Sequence, residues 1–406
     1  MTWGRRLLLF LAVLGPGIIT ASADNDAGGI TTYSLAGAHY GYALLWTMLP
    51  ITVLLGMTQE LGVRMGVATG KGLADLLRER FRVRITILLM LLLVVADLGN
   101  TMTEFAGVAA AGQVLGLTKY LLVPLVAGVV WIMVIKGSYR SVERIFLGFS
   151  AVYLSYIVSG VLSHPAWSQV VHATLVPDMR WTGAFVVMFV GVVGTTISPW
   201  MQFYIQAAVV QKGITAKEYP YSRLDALAGA VVTNVVAFFI IVTTAVALFA
   251  HHVPVTNIAA VGQALRPLAG PLAAGLFALG LLNASVFTAS VLPLSTAFYV
   301  CEGLGWESGV DRRFREAPNF YVFYTGLLVL GALIVLWPGA PLIDIMFFSQ
   351  VANGLLLPIL LVFVLLLAGD RKIMRRFAYR NWYLGLLWLA VAITVVMDLV
   401  FSVKTL

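Results

Sequence analysis

The sequence is poor in charged residues and in cysteine. Only 11% of its 406 residues are Asp, Glu, Lys or Arg, far below the roughly 25% that is typical of soluble domains. Together with 60% hydrophobic residues, this excludes a soluble protein and indicates a single polytopic transmembrane domain over residues 1–406. The single cysteine, Cys301, excludes internal disulfides and cysteine-based metal clusters, so we expect it to be a small packing residue.

The net charge of +8 does not indicate a nucleic-acid-binding protein, because the basic residues are dispersed over many short loops. They report instead on which side of the membrane each loop lies. The first apolar segment runs into an acidic stretch and lacks a cleavage site, so we expect it to remain as a helix rather than to be a removed signal peptide.

Hydropathy predicts eleven membrane spans, each of roughly 20 residues or more. They lie at 7–38, 42–63, 85–113, 118–135, 143–162, 181–212, 222–250, 271–300, 318–337, 341–368 and 381–402. The positive-inside rule tests this count, because a missed span would exchange the sides of all later loops. With the N-terminus in the cytoplasm and the C-terminus outside, all but four of the 26 Lys and Arg residues lie inside; those four are Lys119, Arg180, Arg266 and Lys404.

Two spans are interrupted by residues that a lipid-facing helix does not contain. The first carries acids and paired glycines at 24–29, and the sixth is interrupted near 195–199. Pro199 removes a donor and frees the carbonyl of Thr195 near mid-membrane. Backbone groups freed at that depth need a cavity or an ion as a partner.

Broken helices five spans apart predict an inverted repeat with a binding site between the two breaks. The first repeat covers about 7–162 and the second about 181–368, and 381–402 is an additional helix.

The interior of the predicted bundle is negatively charged. No Lys or Arg is placed deep in a span, whereas the acids that we place within spans are Asp24, Asp26, Asp97, Glu104, Asp344 and Asp398. A buried carboxylate normally faces a partner or a wet cavity, so this interior suits a cation pathway. Asp344 and Asp398 lie near outer span ends, where they can reach water. Asp97 is open to two interpretations, a helix–helix hydrogen bond or a function.

Asp26 is the predicted direct ligand of an ion. It precedes Ala27-Gly28-Gly29, where we expect unwound backbone to turn its carbonyls inward, while Asp24 points to an adjoining vestibule. The competing interpretation is that both acids only bind helix ends, without an ion. Gln350 in the tenth span is either an oxygen ligand or a bridge between helices. The pair His251-His252 falls in a predicted outer loop, and we expect no histidine in the interior.

These residues resemble the NRAMP family of divalent-metal transporters, which have an all-α LeuT-type inverted-repeat fold with helices 1 and 6 broken. The resemblance covers most of the chain. Its motifs are Gly15-Pro16-Gly17 with its spacing to Asp26, the stretch 59–71 after span 2, the stretch 194–199, and Ser349-Gln350-Val351 through Leu357-Pro358.

The sequence departs from the iron- and manganese-carrying members of the family at the metal-binding motifs. Where these members have Asp-Pro-Gly-Asn, this sequence has Asp26-Ala27-Gly28-Gly29, so Gly29 takes the place of an amide ligand. Where they have Met-Pro-His, it has Ser198-Pro199-Trp200, so a hydroxyl replaces the thioether and a titratable ring is lost. Of the two acids in span 3 that are thought to pass protons, only Glu104 is present, because Thr101 stands at the other position.

These departures resemble the magnesium-transporting branch of NRAMP-related proteins. They leave a roomier, all-oxygen site, which suits Mg²⁺ because this ion prefers oxygen ligands and keeps several of its waters. The resemblance therefore implies a secondary transporter of Mg²⁺ and Mn²⁺ in the plasma (inner) membrane, working by alternating access and uncoupled from protons. Two charges moving inward at 100 mV gain roughly 4.6 kcal/mol.

The resemblance and the two breaks together define a candidate site. The residues expected to bind the ion, directly or through water, are Asp26, Ala23, Gly29, Thr195, Ser198 and Gln350. A secondary pathway is expected to involve Asp24, Glu104, Trp200 and Asn353. The expected partners are the divalent ion and the lipid bilayer; no cofactor, nucleic acid or obligate protein partner is inferred.

Several alternatives are weighed against this interpretation. A proton-coupled carrier of Mn²⁺, Fe²⁺ or aluminium would use Asp24 and Glu104 as its proton path. A sodium-coupled carrier of organic solutes would bind a carboxylate at the helix breaks, where Asp26 would repel it. An intramembrane enzyme would need a nucleophile with a base or a metal triad, and the sequence has no such motif. A pure scaffold has no reason to bury acids.

Overall fold

The computed structural model describes residues 23–136, 154–253, 273–310 and 312–405, together with Gly17, Thr20, Val255 and Val261. Over these residues the secondary structure is helical throughout, as predicted. The α-helices, numbered in chain order, are α1 (Ala27–Tyr40), α2 (Met48–Thr69), α3 (Leu73–Arg80), α4 (Val83–Val114), α5 (Lys119–Lys136), α6 (Leu154–Leu162), α7 (Trp167–Leu175), α8 (Gly183–Thr196), α9 (Pro199–Gln211), α10 (Tyr219–Thr244), α11 (Ala273–Leu304), α12 (Pro318–Leu336), α13 (Leu342–Gly369), α14 (Arg371–Met374) and α15 (Asn381–Thr405).

Eight segments in the described part of the chain are long and apolar enough to cross a membrane. They are Val83–Val114, Lys119–Lys136, Gly183–Gln211, Tyr219–Phe249, Phe277–Leu304, Pro318–Leu336, Leu342–Gly369 and Asn381–Lys404. Each coincides with a predicted span. The count of eleven stays a prediction, since most of the first half of span 1 and residues 143–153 of span 5 lie outside the described residues.

The ends of the early helices differ from the prediction. Helix α1 ends at Gly41, whose φ of 59° is a conformation that glycine adopts without strain, and α2 begins only at Met48. Hydropathy did not predict α3 and α7, because helices of eight and nine residues are too short to span a membrane.

Helix α1 lies among α8, α10 and α13, and α4 packs along α11 and α13. The approach of α8 to α13 depends on two glycines. A β-carbon on Gly194 would clash with the Gln350 carbonyl oxygen and the Gly354 amide, and one on Gly354 would clash with the Val190 carbonyl. Glycine at both positions therefore lets the end of α8 rest on the backbone of α13. Cys301 is buried in the apolar core, as predicted.

Loops that the charge rule assigns to one side of the membrane contact one another. Arg80 pairs with Asp370 at 3.4 Å. At the opposite end, Lys119 donates 2.8 Å hydrogen bonds to the carbonyls of Val335 and Trp337. The side that carries the loops at 64–84, 212–223, 312–315 and 370–380 is called the basic side below.

Candidate metal-ion site

The first break is centred on Asn25 and Asp26. Asp26 is the N-cap of α1, and its Oδ1 accepts a 2.6 Å hydrogen bond from the Gly29 N–H. This bond satisfies one of the four N–H groups that a helix start leaves without a partner. The prediction that the chain stays unwound through Gly29 is wrong, because the cap allows the helix to begin at Ala27. Amide groups of 27–29, rather than carbonyls, therefore face the break.

Glu104 of α4 meets the same helix start. The Ala27 N–H, which in a continuous helix would bond to the Ala23 carbonyl, donates to Glu104 Oε2 at 3.5 Å. Glu104 therefore contacts the residue that follows Asp26, and its Oε1 has no hydrogen-bond partner in the described part of the chain. Glu104, which was expected in a secondary pathway, thus lies close to Asp26. The partial positive charge at the N-terminus of α1 partly offsets the negative charge of the two carboxylates.

The second break separates α8 from α9. Ile197 and Ser198 leave the helical conformation, and Pro199 occupies the first turn of α9, where its missing N–H does no harm. The Ser198 hydroxyl turns back and donates to the carbonyls of Gly194 at 2.9 Å and Thr195 at 3.3 Å. The Thr195 carbonyl, which the proline was expected to free, therefore already accepts a hydrogen bond from the uncharged Ser198 hydroxyl.

Gly29 marks the point where the two breaks meet. A β-carbon on Gly29 would lie 3.4 Å from Asp26 Oδ1 and 3.4 Å from Thr195 Oγ1. The Thr195 hydroxyl has no hydrogen-bond partner among the described residues and is buried. The Asp24 carbonyl oxygen approaches this position most closely, so a carbonyl, a carboxylate and a hydroxyl converge on Gly29 because it has no side chain.

The α13 amides border the same region and are linked to each other. Asn353 Nδ2 is 3.0 Å from Gln350 Oε1, 2.8 Å from Asn100 Oδ1 and 3.5 Å from Ser198 Oγ. Gln350 Nε2 donates to Ser349 Oγ at 3.2 Å, and a β-carbon on Gly28 would clash with this amide. Gln350 thus rests on the first turn of α1 and bridges helices.

Asp24 and Trp200 lie at the edges of the site. Asp24 Oδ2 accepts a 3.2 Å hydrogen bond from Thr233 of α10, which in turn accepts one from Asn25 Nδ2 at 2.6 Å. Asp24 Oδ1 has no partner in the described ranges. Trp200 has the largest fully buried side chain among the described residues, and it packs edge-on against Tyr204. Asp24 therefore faces α10, and the Trp200 ring is buried beside the second break.

The remaining predicted groups have simpler roles. Asp97 accepts hydrogen bonds from Thr296 at 2.7 Å, Tyr299 at 3.0 Å and Asn100 at 3.3 Å, so it joins α4 to α11. Asp344 is exposed and Asp398 is partly exposed, as expected for span ends. All five histidines are exposed, including His251-His252, which confirms that none is in the interior.

Two buried acids were not predicted from the sequence. Asp225 of α10 accepts a 2.7 Å hydrogen bond from the Gly17 N–H. Glu60 of α2 pairs with Arg64 at 2.7 Å and accepts hydrogen bonds from tyrosines of three segments on the basic side: Tyr219, Tyr379 and Tyr383. The spacing of Glu60 and Arg64, four residues apart on a helix, was the signal that could have identified this ion pair.

The groups that converge on the two breaks carry oxygen as their donor atom: two carboxylates, two hydroxyls, an amide and backbone carbonyls. In the residues that the structure describes, no three Asp, Glu, His or Cys side chains form a cluster that could hold a metal ion. An ion bound here would be held by few charges, with neutral oxygens and water completing its shell.

A family model described as natural resistance-associated macrophage protein-like matches residues 17–404. Among curated proteins, the chain is 30% identical over 425 residues to a divalent metal cation transporter, MntH, of Ralstonia nicotianae, covering 97% of this chain and 90% of that protein. It is 27% identical over 400 residues to MntH of Verminephrobacter eiseniae, covering 92% of this chain and 84% of that protein.

Solved structures share the fold. The manganese transporter of Eremococcus coleocola superposes with a TM-score of 0.82 at 20% identity, covering 100% of this chain and 88% of that chain. The nucleobase–cation symporter MHP1 superposes with a TM-score of 0.61 at 15% identity, covering 96% and 89%. The LeuT-type fold with broken first and sixth helices, expected from the sequence, is thus the fold of this chain.

Proposed function

Since the chain belongs to the natural resistance-associated macrophage protein-like family, we propose that it transports the hard divalent cations Mg²⁺ and Mn²⁺ through the site between its two broken helices. Membership of this family and relatives that are divalent metal cation transporters support a divalent ion as the substrate. The ion moves by alternating access into the cytoplasm across the plasma membrane, with the basic side facing inward.

The observation that carries the choice of ion is the environment of Gly29. The Asp24 carbonyl, the Asp26 carboxylate and the Thr195 hydroxyl all approach Gly29, and no side chain at 29 stands among these oxygens. At position 198 a hydroxyl stands instead of a sulfur ligand. Oxygen donors without a sulfur ligand favour Mg²⁺, which dehydrates reluctantly, and Mn²⁺ accepts similar ligands.

The hydrogen bonds of the neighbouring groups indicate how they act. The Ser198 hydroxyl is occupied by the Gly194 carbonyl, and Gln350 Oε1 is occupied by Asn353. We therefore assign Asp26 and the Ala23 carbonyl to direct contact with the ion. Ser198, Thr195 and Gln350 hold its remaining waters.

Transport driven by the membrane potential alone is the simplest mechanism for this site. The described histidines are all exposed and Trp200 replaces a titratable group of the family pattern, so the site has few groups that can carry a proton inward. Two charges moving through 100 mV gain roughly 4.6 kcal/mol, which is enough to concentrate the ion.

One observation favours a second candidate, a proton-coupled carrier. Asp26 and Glu104 both lie at the start of α1, and two neighbouring buried carboxyl groups are stabilised by either a cation or a shared proton. If ion binding releases a proton from this pair, the flux of the ion is coupled to a flux of protons. Glu104 is the residue that would carry it.

Uptake into proteoliposomes with an internal pH dye separates these candidates. Wild-type protein should take up Mg²⁺ and Mn²⁺ more readily than Ca²⁺ or Fe²⁺, driven by an inside-negative potential and without internal acidification. Asp26→Asn should abolish this uptake, and Asp344→Asn, an exposed acid of α13, should not. Acidification during uptake that disappears in Glu104→Gln would establish the proton-coupled candidate instead. Unchanged Mg²⁺ uptake in Asp26→Asn would overturn the site.

A further inference from the structure

A row of polar side chains leads from the second break toward the basic side. Gln202 and Gln206 of α9 follow Ser198 at intervals of four residues, so the three lie on one face of the helix. Gln206 Nε2 donates a 2.9 Å hydrogen bond to the carbonyl of Lys71, in the loop between α2 and α3. The row therefore begins at the ion site and ends at a basic surface loop.

Helix α2 presents a matching face to this row. Gln59, Gly62 and Gly66 are spaced three and four residues apart, which places them on one side of α2. A β-carbon on Gly62 would clash with the Ile205 side chain and lie 3.7 Å from the backbone oxygen of Gln202 and from the backbone nitrogen of Gln206. One on Gly66 would lie 3.0 Å from Val209 Cγ1 and 3.2 Å from the backbone oxygen of Gln206. The two helices thus run in the same direction, and Gln59 lies level with the first turn of α9.

The amides along this seam are buried without partners. Relative exposure is 3% for Gln59, 1% for Gln202 and 0% for Gln206. Both amide atoms of Gln59 and of Gln202, and Oε1 of Gln206, have no hydrogen-bond partner in the described ranges. Buried amides are nearly always paired, because an unpaired one is destabilising. Three of them in one seam therefore indicate a place that water or an ion enters.

We propose that the seam between α2 and α9 is the exit route of the hydrated cation from the site to the basic side, lined by Gln59, Gln202 and Gln206. The inference rests on the proposed transport of divalent cations. Neutral amides suit this task, because they hydrogen-bond to the waters of a hydrated ion without holding it, whereas carboxylates would retain it.

Replacing the Gln202 amide distinguishes a water-filled exit route from a helix contact that holds no water. Gln202→Leu should lower the maximal rate of Mg²⁺ uptake about tenfold, with little change in KM and unchanged Mg²⁺ binding to the detergent-solubilised protein in calorimetry. A dry seam gives the opposite result: higher thermal stability, since an unpaired amide is removed, and an unchanged uptake rate. The matched control is Gln211→Leu at the exposed end of the same helix, which should behave as wild type.

The single, buried cysteine allows a second measurement that does not depend on transport rate. In a Cys301→Ala background, Gln202→Cys should react with a small cationic thiosulfonate added on the basic side, and Mg²⁺ should slow this reaction. Absence of reaction, or a reaction that Mg²⁺ does not slow, overturns the route. If Mg²⁺ uptake is absent in the wild type, or insensitive to Asp26→Asn, the proposed function fails; if only the Gln202 variants behave as wild type, the exit route alone fails.

Discussion

The Gly29 N–H donates a 2.6 Å hydrogen bond to Oδ1 of Asp26, so one carboxylate both starts helix α1 and stands at the proposed ion site. The two roles have different chemical requirements. Capping needs a side-chain oxygen, which asparagine also supplies, whereas binding a divalent ion needs the negative charge. Substitutions at this position can therefore separate structure from function.

Asp26→Asn should keep the cap and remove the charge. We expect stability close to wild type and a loss of Mg²⁺ uptake of about 100-fold or more, since even indirect partners of a metal typically contribute 10–100-fold. Asp26→Ala should lose uptake equally and in addition be less stable by about 1 kcal/mol, because it lacks the cap. Uptake assays and denaturant titrations of both proteins test this. Equal stability of the two variants would argue against the capping role.

Gly29→Ala should reduce Mg²⁺ uptake strongly. The added methyl group would enter the space 3.4 Å from both Asp26 Oδ1 and Thr195 Oγ1, and would clash with the Asp24 carbonyl. Gly326→Ala on α12 is the matched control, because a β-carbon there meets no atom within 4 Å. Both variants are compared by initial uptake rates and by KM for Mg²⁺. Normal uptake by Gly29→Ala would mean that the ion does not occupy this space.

Ser198→Met should impair Mg²⁺ transport more than Mn²⁺ transport. A thioether is a soft ligand that contributes little to a hard ion. Ser198→Ala is the reference, because it also removes the hydroxyl bonded to the Gly194 carbonyl at 2.9 Å but adds no sulfur. Competition of Mn²⁺ against Mg²⁺ in uptake measures the preference. If Met and Ala alter both ions by the same factor, position 198 does not set the choice of metal.

Asp97→Asn should affect stability rather than ion affinity. The Asp97 carboxylate accepts hydrogen bonds from Thr296, Tyr299 and Asn100. An asparagine has an NH₂ group in place of one carboxylate oxygen, and this group cannot accept a hydrogen bond from them. Leaving one buried donor unpaired destabilises by about 1–3 kcal/mol. Thermal unfolding should reveal this loss, while KM for Mg²⁺ stays at the wild-type value. A changed KM with normal stability would assign Asp97 to the ion pathway.

Much of the architecture was predictable, because a membrane imposes strong rules on sequence. The eight apolar segments that the structure identifies coincide with predicted spans, since a crossing helix needs a long uncharged run. The break near Ser198 was predictable because proline cannot continue a helix. The short helices α3 and α7 were not predicted, because nothing in their length or hydropathy distinguishes them from loops.

The site was predictable as a set of residues but not as a set of contacts. Hydropathy and the two interruptions identified Asp26, Thr195 and Ser198. They did not reveal that Glu104, 78 positions after Asp26 in the chain, contacts the start of α1, or that the Ser198 hydroxyl donates to carbonyls at the end of α8. Such contacts depend on how helices rotate and tilt against each other, which small residues such as Gly194 and Gly354 decide.

The order of residues alone is enough to establish a helical membrane protein with a negative interior and two broken helices, because burial in lipid penalises charge and unpaired backbone groups wherever they occur. Which oxygens meet at the breaks, that Asp26 also caps α1, and that α2 packs against α9 follow only from the folded arrangement of the helices. These relationships join residues far apart in the chain, and their geometry follows from packing rather than from local preference.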